Sequence, residues 1–179
     1  MTAIAAHVGS EVVTVADVDA REQVLRTGDR RHALPRPGTS EARQMRRWLT
    51  QVLVAERVVA MSSRGEGQVP SEADVLPDVV ARMELGSVAA ATLSDPHGRA
   101  VFAAITADIA VTDTEVADYH ARNPHRFAVR ADIASHLLAA ARRRHYRRWL
   151  DARCAELTTL AAGYEHPGDP RQPDNTHRH

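Results

Sequence analysis

The sequence predicts an all-α fold: a helical bundle with at most a small β-hairpin at the N-terminus and one long helix at the C-terminal end. Three observations predict it. Aromatic residues make up only 4% of the chain, while alanine, valine and leucine abound, which suits helices packed through small and aliphatic side chains. Residues 40–63 and 130–160 place apolar side chains at a helical period. Capping residues announce helix starts at Thr14, Ser71, Ser94-Asp95 and Thr112.

In chain order, Gly9-Ser10 separates Ile4–Val8 from Glu11-Val12-Val13. Glycine in a two-residue link between β-prone runs reads as a hairpin. Thr14 then caps a helix, with Asp17 at the third position and Val15, Val18 and Leu25 as its buried edge. Residues 27–39 carry the residues of a loop and exceed the usual connector length. In the helix over 40–63, Met45, Trp48, Leu49, Val52, Leu53, Glu56 and Val59 set the apolar rhythm, with Glu56 its one polar member. Ser71, with Asp74, opens another helix, in which Pro77 demands a kink or a restart. A helix from Pro96 to about Ile109 buries Val101, Phe102, Ile105 and Ile109.

Thr112 and Glu115 form a capping box for the next helix, and Asn123-Pro124 stops it. The last helix, 130–160, presents Ile133, Leu137, Leu138, Tyr146, Trp149, Leu150, Leu157 and Leu160 as one stripe, with no strand-like run after Phe127. Gly163 and Pro167 end the periodicity. Residues 1–162 thus read as a single helical domain and 163–179 as an extended tail rich in proline and histidine.

Bulk composition excludes several classes. Formal net charge is zero and 44% of residues are hydrophobic, so the chain is neither a disordered polyelectrolyte nor a membrane protein. Lysine is absent, so its ion pairs must be made by arginine. The single cysteine, Cys154, gives no internal disulfide and reads as a structural thiol rather than a nucleophile. No basic region with a sustained apolar run opens the chain, and no apolar stretch approaches the roughly 20 residues that span a bilayer. The expectation is a soluble, cytoplasmic protein. There is no Gly-x-Ser-x-Gly elbow, phosphate-cradling glycine loop or cysteine pair for zinc.

Residues 111–127, Val-Thr-Asp-Thr-Glu-Val-Ala-Asp-Tyr-His-Ala-Arg-Asn-Pro-His-Arg-Phe, resemble the segment that closes the helical domain of SurA-type periplasmic chaperones and their parvulin relatives. Val8–Arg21, with Gly9, Thr14 and Asp17-Val18, resembles the opening of the same chains. The resemblance implies a peptidyl-prolyl isomerase family member whose two chain ends build one chaperone domain, with N- and C-terminal helices packed together. In that family a parvulin domain with a four-stranded sheet follows the closing phenylalanine. Here residues 128–179 offer one helix and a tail, leaving no room for that sheet. The resemblance therefore implies the binding half of the family and not its isomerase.

Two features carry competing readings. Arg142-Arg143-Arg144-His145-Tyr146-Arg147-Arg148-Trp149 has the arginines and aromatics of a nucleic-acid site. Zero net charge and helical spacing favour a solvated arginine face over buried Tyr146, Trp149 and Leu150, so nucleic acid is not the expected partner. In the tail, His166, Asp169, Asp174, His177 and His179 offer imidazole and carboxylate ligands suited to nickel, copper(II) or zinc. Docking to a partner and incidental disorder are the other readings of that tail.

The leading expectation is a non-catalytic chaperone or assembly module that needs no cofactor. It would hold a polypeptide client or partner subunit in an apolar groove between the 40–63 and 130–160 helices. Trp48, Leu49, Val52, Trp149 and Leu150 are the candidates for that groove, with core packing as their competing role. A metal-handling accessory protein using the tail is the alternative, and a homodimer exchanging its long loop and helices is a third.

Overall fold

The computed structural model describes residues 3–29, 31–127, 129–171 and 174. Eight helices and a three-stranded antiparallel sheet are formed by these residues, so the all-α expectation is corrected to a mixed fold. The chain divides into two compact units. The first joins residues up to 61 with those from 152 onward, and the second spans 62–151.

The first unit is built on the sheet, in the order β2-β1-β3. The strands β1 (Ile4–Val8) and β2 (Glu11–Thr14) form the expected hairpin, turned at Gly9 with φ +59°, a conformation glycine adopts without a Cβ penalty. β3 (Thr158–Leu160) pairs with the other edge of β1, Val8 opposite Thr158 and Ala6 opposite Leu160. Flanking bonds extend the pairing: the Gly9 amide donates to Leu157 O at 2.8 Å, and the Ala161 amide to Ala5 O at 2.9 Å. Central placement leaves Ala5, Ala6 and Val8 fully buried. The apolar stripe predicts a helix to residue 160. Instead the helix ends at Leu157, because the free edge of β1 offers Thr158–Leu160 hydrogen-bond partners and β-branched threonines suit a strand.

Helix α1 (Val15–Thr27) starts at the expected capping box: the Asp17 amide donates to Thr14 Oγ1 at 3.1 Å, and the Thr14 amide donates to Asp17 Oδ2 at 2.8 Å. Those bonds hold the Asp17 carboxyl below its ordinary pKa. Of its expected buried edge only Val18 is fully enclosed, so α1 has little core of its own. Arginine pairs fasten it to α2 (Ser40–Ala60) instead. Arg21 forks onto Glu56 at 2.9 and 2.7 Å, which explains the one polar member of the α2 stripe. Along the helix α2 buries Leu49, Val52, Leu53, Val58 and Val59.

In the second unit the chain does restart at Pro77. The short α3 (Glu72–Val75), capped by Ser71, gives way to α4 (Val79–Leu85), capped by Asp78. Gly86, at φ +88°, turns the chain into α5 (Ser87–Thr92). α6 (Pro96–Ile105) follows, ending short of the Ile109 that its sequence rhythm suggests, and α7 (Asp113–Arg122) carries the Thr112–Glu115 capping box. The 28-residue α8 (Arg130–Leu157) completes the unit and hands its residues from Ala152 onward to the first. Tyr146, fully buried, is the pivot of this core: Phe102 meets it edge-on at 5.2 Å, and its hydroxyl shares a 2.8 Å hydrogen bond with Thr92 Oγ1. The 111–127 motif docks through a ring cluster, with Phe127 5.2 Å and Tyr119 5.8 Å from His136 of α8. Among the described residues no helix is long and apolar enough to cross a membrane.

Candidate functional site

The residues expected to line a client groove divide between core and surface. Leu49, Val52 and Leu150 are buried, so their apolar area is already spent on folding. Trp48 and Trp149 are half-buried, and the Trp149 ring lies tilted on Tyr146 at 5.5 Å. Trp48, Leu49 and Val52 belong to the first unit, Trp149 and Leu150 to the second.

The second unit exposes a different apolar surface. On α4, Val79, Val80 and Met83 are 67, 58 and 75% exposed. Their spacing of three and four residues sets them on one helix face. The remaining residues explain why that face is turned outward: Ala81 and Leu85 are buried, Arg82 bonds Glu72 at 2.6 Å, and Glu84 bonds Arg143 at 2.9 Å. Sequence reasoning missed this face because a short apolar cluster after Pro77-Asp78 reads as core. The signal available was its length, since a seven-residue helix cannot bury two faces at once.

The arginine run is mostly architectural. Arg143, almost fully buried, forks onto Glu84 and reaches Val75 O at 3.5 Å. Arg147 bonds Glu84 O at 3.4 Å and sits 3.8 Å from Asp151. Arg144 and Arg148 are exposed, whereas Tyr146 is enclosed and has no ring face for a base.

In the first unit the start of α2 carries three arginines that gather acidic partners. Arg46 donates to Glu22 at 2.6 Å, to Asp19 at 2.7 Å and to the Tyr164 hydroxyl at 3.4 Å. Burial pushes Glu22 up, but the bonds from Arg46 and Arg26 outweigh it and leave its carboxyl below the ordinary value. Arg43 and Arg47 together grip Asp174, at 2.5 and 3.1 Å from Arg43 and 2.8 Å from Arg47. Hydrogen bonds from Arg43 and then Arg47 hold the Asp174 carboxyl at about 2.

The proposed metal ligands of the tail are therefore engaged elsewhere or undescribed. Asp174 faces arginines, Asp169 forks with Arg171 at 2.7 and 3.0 Å and is held at about 2, and His166 Nδ1 accepts from the Gly168 amide at 3.0 Å. His177 and His179 lie outside the described residues. Among the described residues no three histidine, cysteine, aspartate or glutamate side chains gather as a metal site. Cys154 is half-buried on α8.

Residues 4–41, from β1 to the first residues of α2, match a family described as one of unknown function, DUF7158. No curated protein and no solved structure matches the chain.

Proposed function

We propose that this chain is a non-catalytic polypeptide-binding module, a chaperone or assembly factor related to the SurA type, and that its client contact is the α4 face. The observation that carries this reading is the exposure of Val79, Val80 and Met83 on one helix whose opposite side is anchored. Three large apolar side chains left in water on an ordered helix are a recurring mark of a protein contact surface. Met83 adds an unbranched, adaptable side chain of the kind used by promiscuous binders. Client binding there draws on apolar burial, about 25 cal/mol per Å² before ordering costs, and calls for neither nucleotide nor metal. The union of early and late chain segments in one unit accords with the family resemblance. The same reading places the protein in the cytoplasm, since its one cysteine makes no demand for an oxidising compartment.

The test is light scattering by reduced, unfolding lysozyme with the full chain present. The natural chain is expected to suppress aggregation at equimolar and twofold amounts, and Val80→Asp/Met83→Asp to lose most of that effect while melting at the same temperature. Equal suppression by both chains, or none by either, removes the α4 face from this role.

A further inference from the structure

Within the second unit, residues from α3, α6 and α8 line a cleft of about 300 Å³. Its walls are mixed: Val75, Phe102 and Ala139 supply apolar surface, Gln68 and Thr106 are polar, and two guanidinium groups and one carboxylate also reach it, from Arg142, Arg143 and Asp74. Their charges are not equally available. Arg143 is matched by Glu84 at 2.9 Å. Asp74 has one oxygen, Oδ2, committed to the Ser71 amide and hydroxyl at 2.9 and 2.7 Å, and those bonds keep the carboxyl ionised. Arg142 makes no ion pair among the described residues, and its Nε, shielded from solvent, has no hydrogen-bond partner.

A cleft-lining guanidinium with no carboxylate partner has its charge available to an arriving oxyanion. Arginine remains charged under all ordinary conditions and presents a planar fork that fits a carboxylate. One unmatched cation beside an ionised Asp74 selects a monoanion, because a doubly charged phosphate ester is repelled by Asp74 without a second free cation to offset it. The volume of about 300 Å³ limits the ligand to a small body. We infer that this cleft binds a small monocarboxylate with a short apolar body, the carboxylate on Arg142 and the hydrocarbon against Val75, Phe102 and Ala139. This site stands apart from the α4 reading and does not depend on it.

Hexanoate, hexanol and hexyl phosphate distinguish the terms, each titrated into the full chain and followed by protein NMR shifts. Hexanoate is expected to saturate, with hexanol and hexyl phosphate each weaker by about tenfold or more, as one charge-assisted contact implies. Arg142→Gln is expected to weaken hexanoate by about tenfold and leave hexanol unchanged. Ala139→Leu, which fills the cleft from the turn of α8 before Arg142, is expected to weaken both. No saturation by hexanoate, hexanoate no tighter than hexanol, or undiminished hexanoate binding in either variant overturns the inference. The hexanoate–hexanol comparison on the unmodified chain needs no variant, so it decides the question even where Arg142→Gln folds poorly.

Discussion

Arg47 donates to Asp174 across 2.8 Å, joining a helix side chain that is almost fully buried to a residue near the chain's end. With Arg43 on the preceding turn it makes a two-arginine cradle in which the Asp174 side chain is only 8% exposed. Among the described residues near the chain's end, a carboxylate makes this hold on α2.

The first prediction is a pH dependence of that hold. The Asp174 carboxyl sits at about 2 against an ordinary 3.8, so it binds fewer protons when docked than when released. A depressed value means that the docked state is favoured fully above 3.8 and loses that advantage as pH falls toward 2. Carboxyl-carbon NMR should give a midpoint near 2 in the natural chain, moving back toward 3.8 in Arg43→Gln. A midpoint at the ordinary value in the natural chain would remove the cradle.

The second concerns Glu84. Its carboxylate satisfies Arg143, whose side chain is 7% exposed while Glu84 is 40% exposed. Glu84→Ala leaves that guanidinium only the long bond to Val75 O. The expected loss is about 1.5 kcal/mol, below the figure for a fully enclosed pair because water reaches the glutamate. A urea midpoint unchanged from the natural chain is the contrary result.

Gly98 supports the third. A Cβ there would lie 1.8 Å from Thr92 O and 2.9 Å from Thr92 C. These are backbone atoms, so α5 and α6 must part for Gly98→Ala to fit. Destabilisation of about 3 kcal/mol is expected in chemical denaturation, whereas Gly67→Ala, with nothing within 4 Å, should change little. Similar midpoints for the two variants would contradict the close approach.

The fourth tests the cap of α7. Thr112 Oγ1 accepts from the Glu115 amide at 3.2 Å, and Glu115 Oε2 accepts from the Thr112 amide at 2.7 Å. Thr112→Ala should lower stability by about 1 kcal/mol and speed amide exchange in the first turn of α7, with Thr112→Ser restoring both. Unaltered exchange at Glu115 and Val116 would show that the helix start is set by packing alone.

Local features are legible in the order of the residues. The boxes at Thr14–Asp17, Ser71–Asp74 and Thr112–Glu115 appear where residues three apart can satisfy each other's amides. The hairpin at Gly9 and the break at Pro77 likewise follow from backbone chemistry within a few residues. Glu56 stands out as an anomaly in an apolar stripe, but nothing in the stripe names Arg21 as its partner. The candidate site is less legible. Periodicity groups Leu49 with Val52 and Val79 with Met83 on equal terms, yet the first pair is enclosed and the second open to water.

By itself, then, the sequence determined the helix starts at Thr14, Ser71, Asp95 and Thr112, the stop at Asn123-Pro124, and where the hairpin turns. Tertiary structure alone decided that Thr158–Leu160 would leave the last helix to become a strand, that Asp174 would meet arginines, and which apolar faces would stay uncovered. The physical reason is range. Caps and turns close through bonds between near neighbours, whereas an edge strand, an ion pair across the chain and the covering of a helix face each depend on a partner that folding brings from far along the sequence.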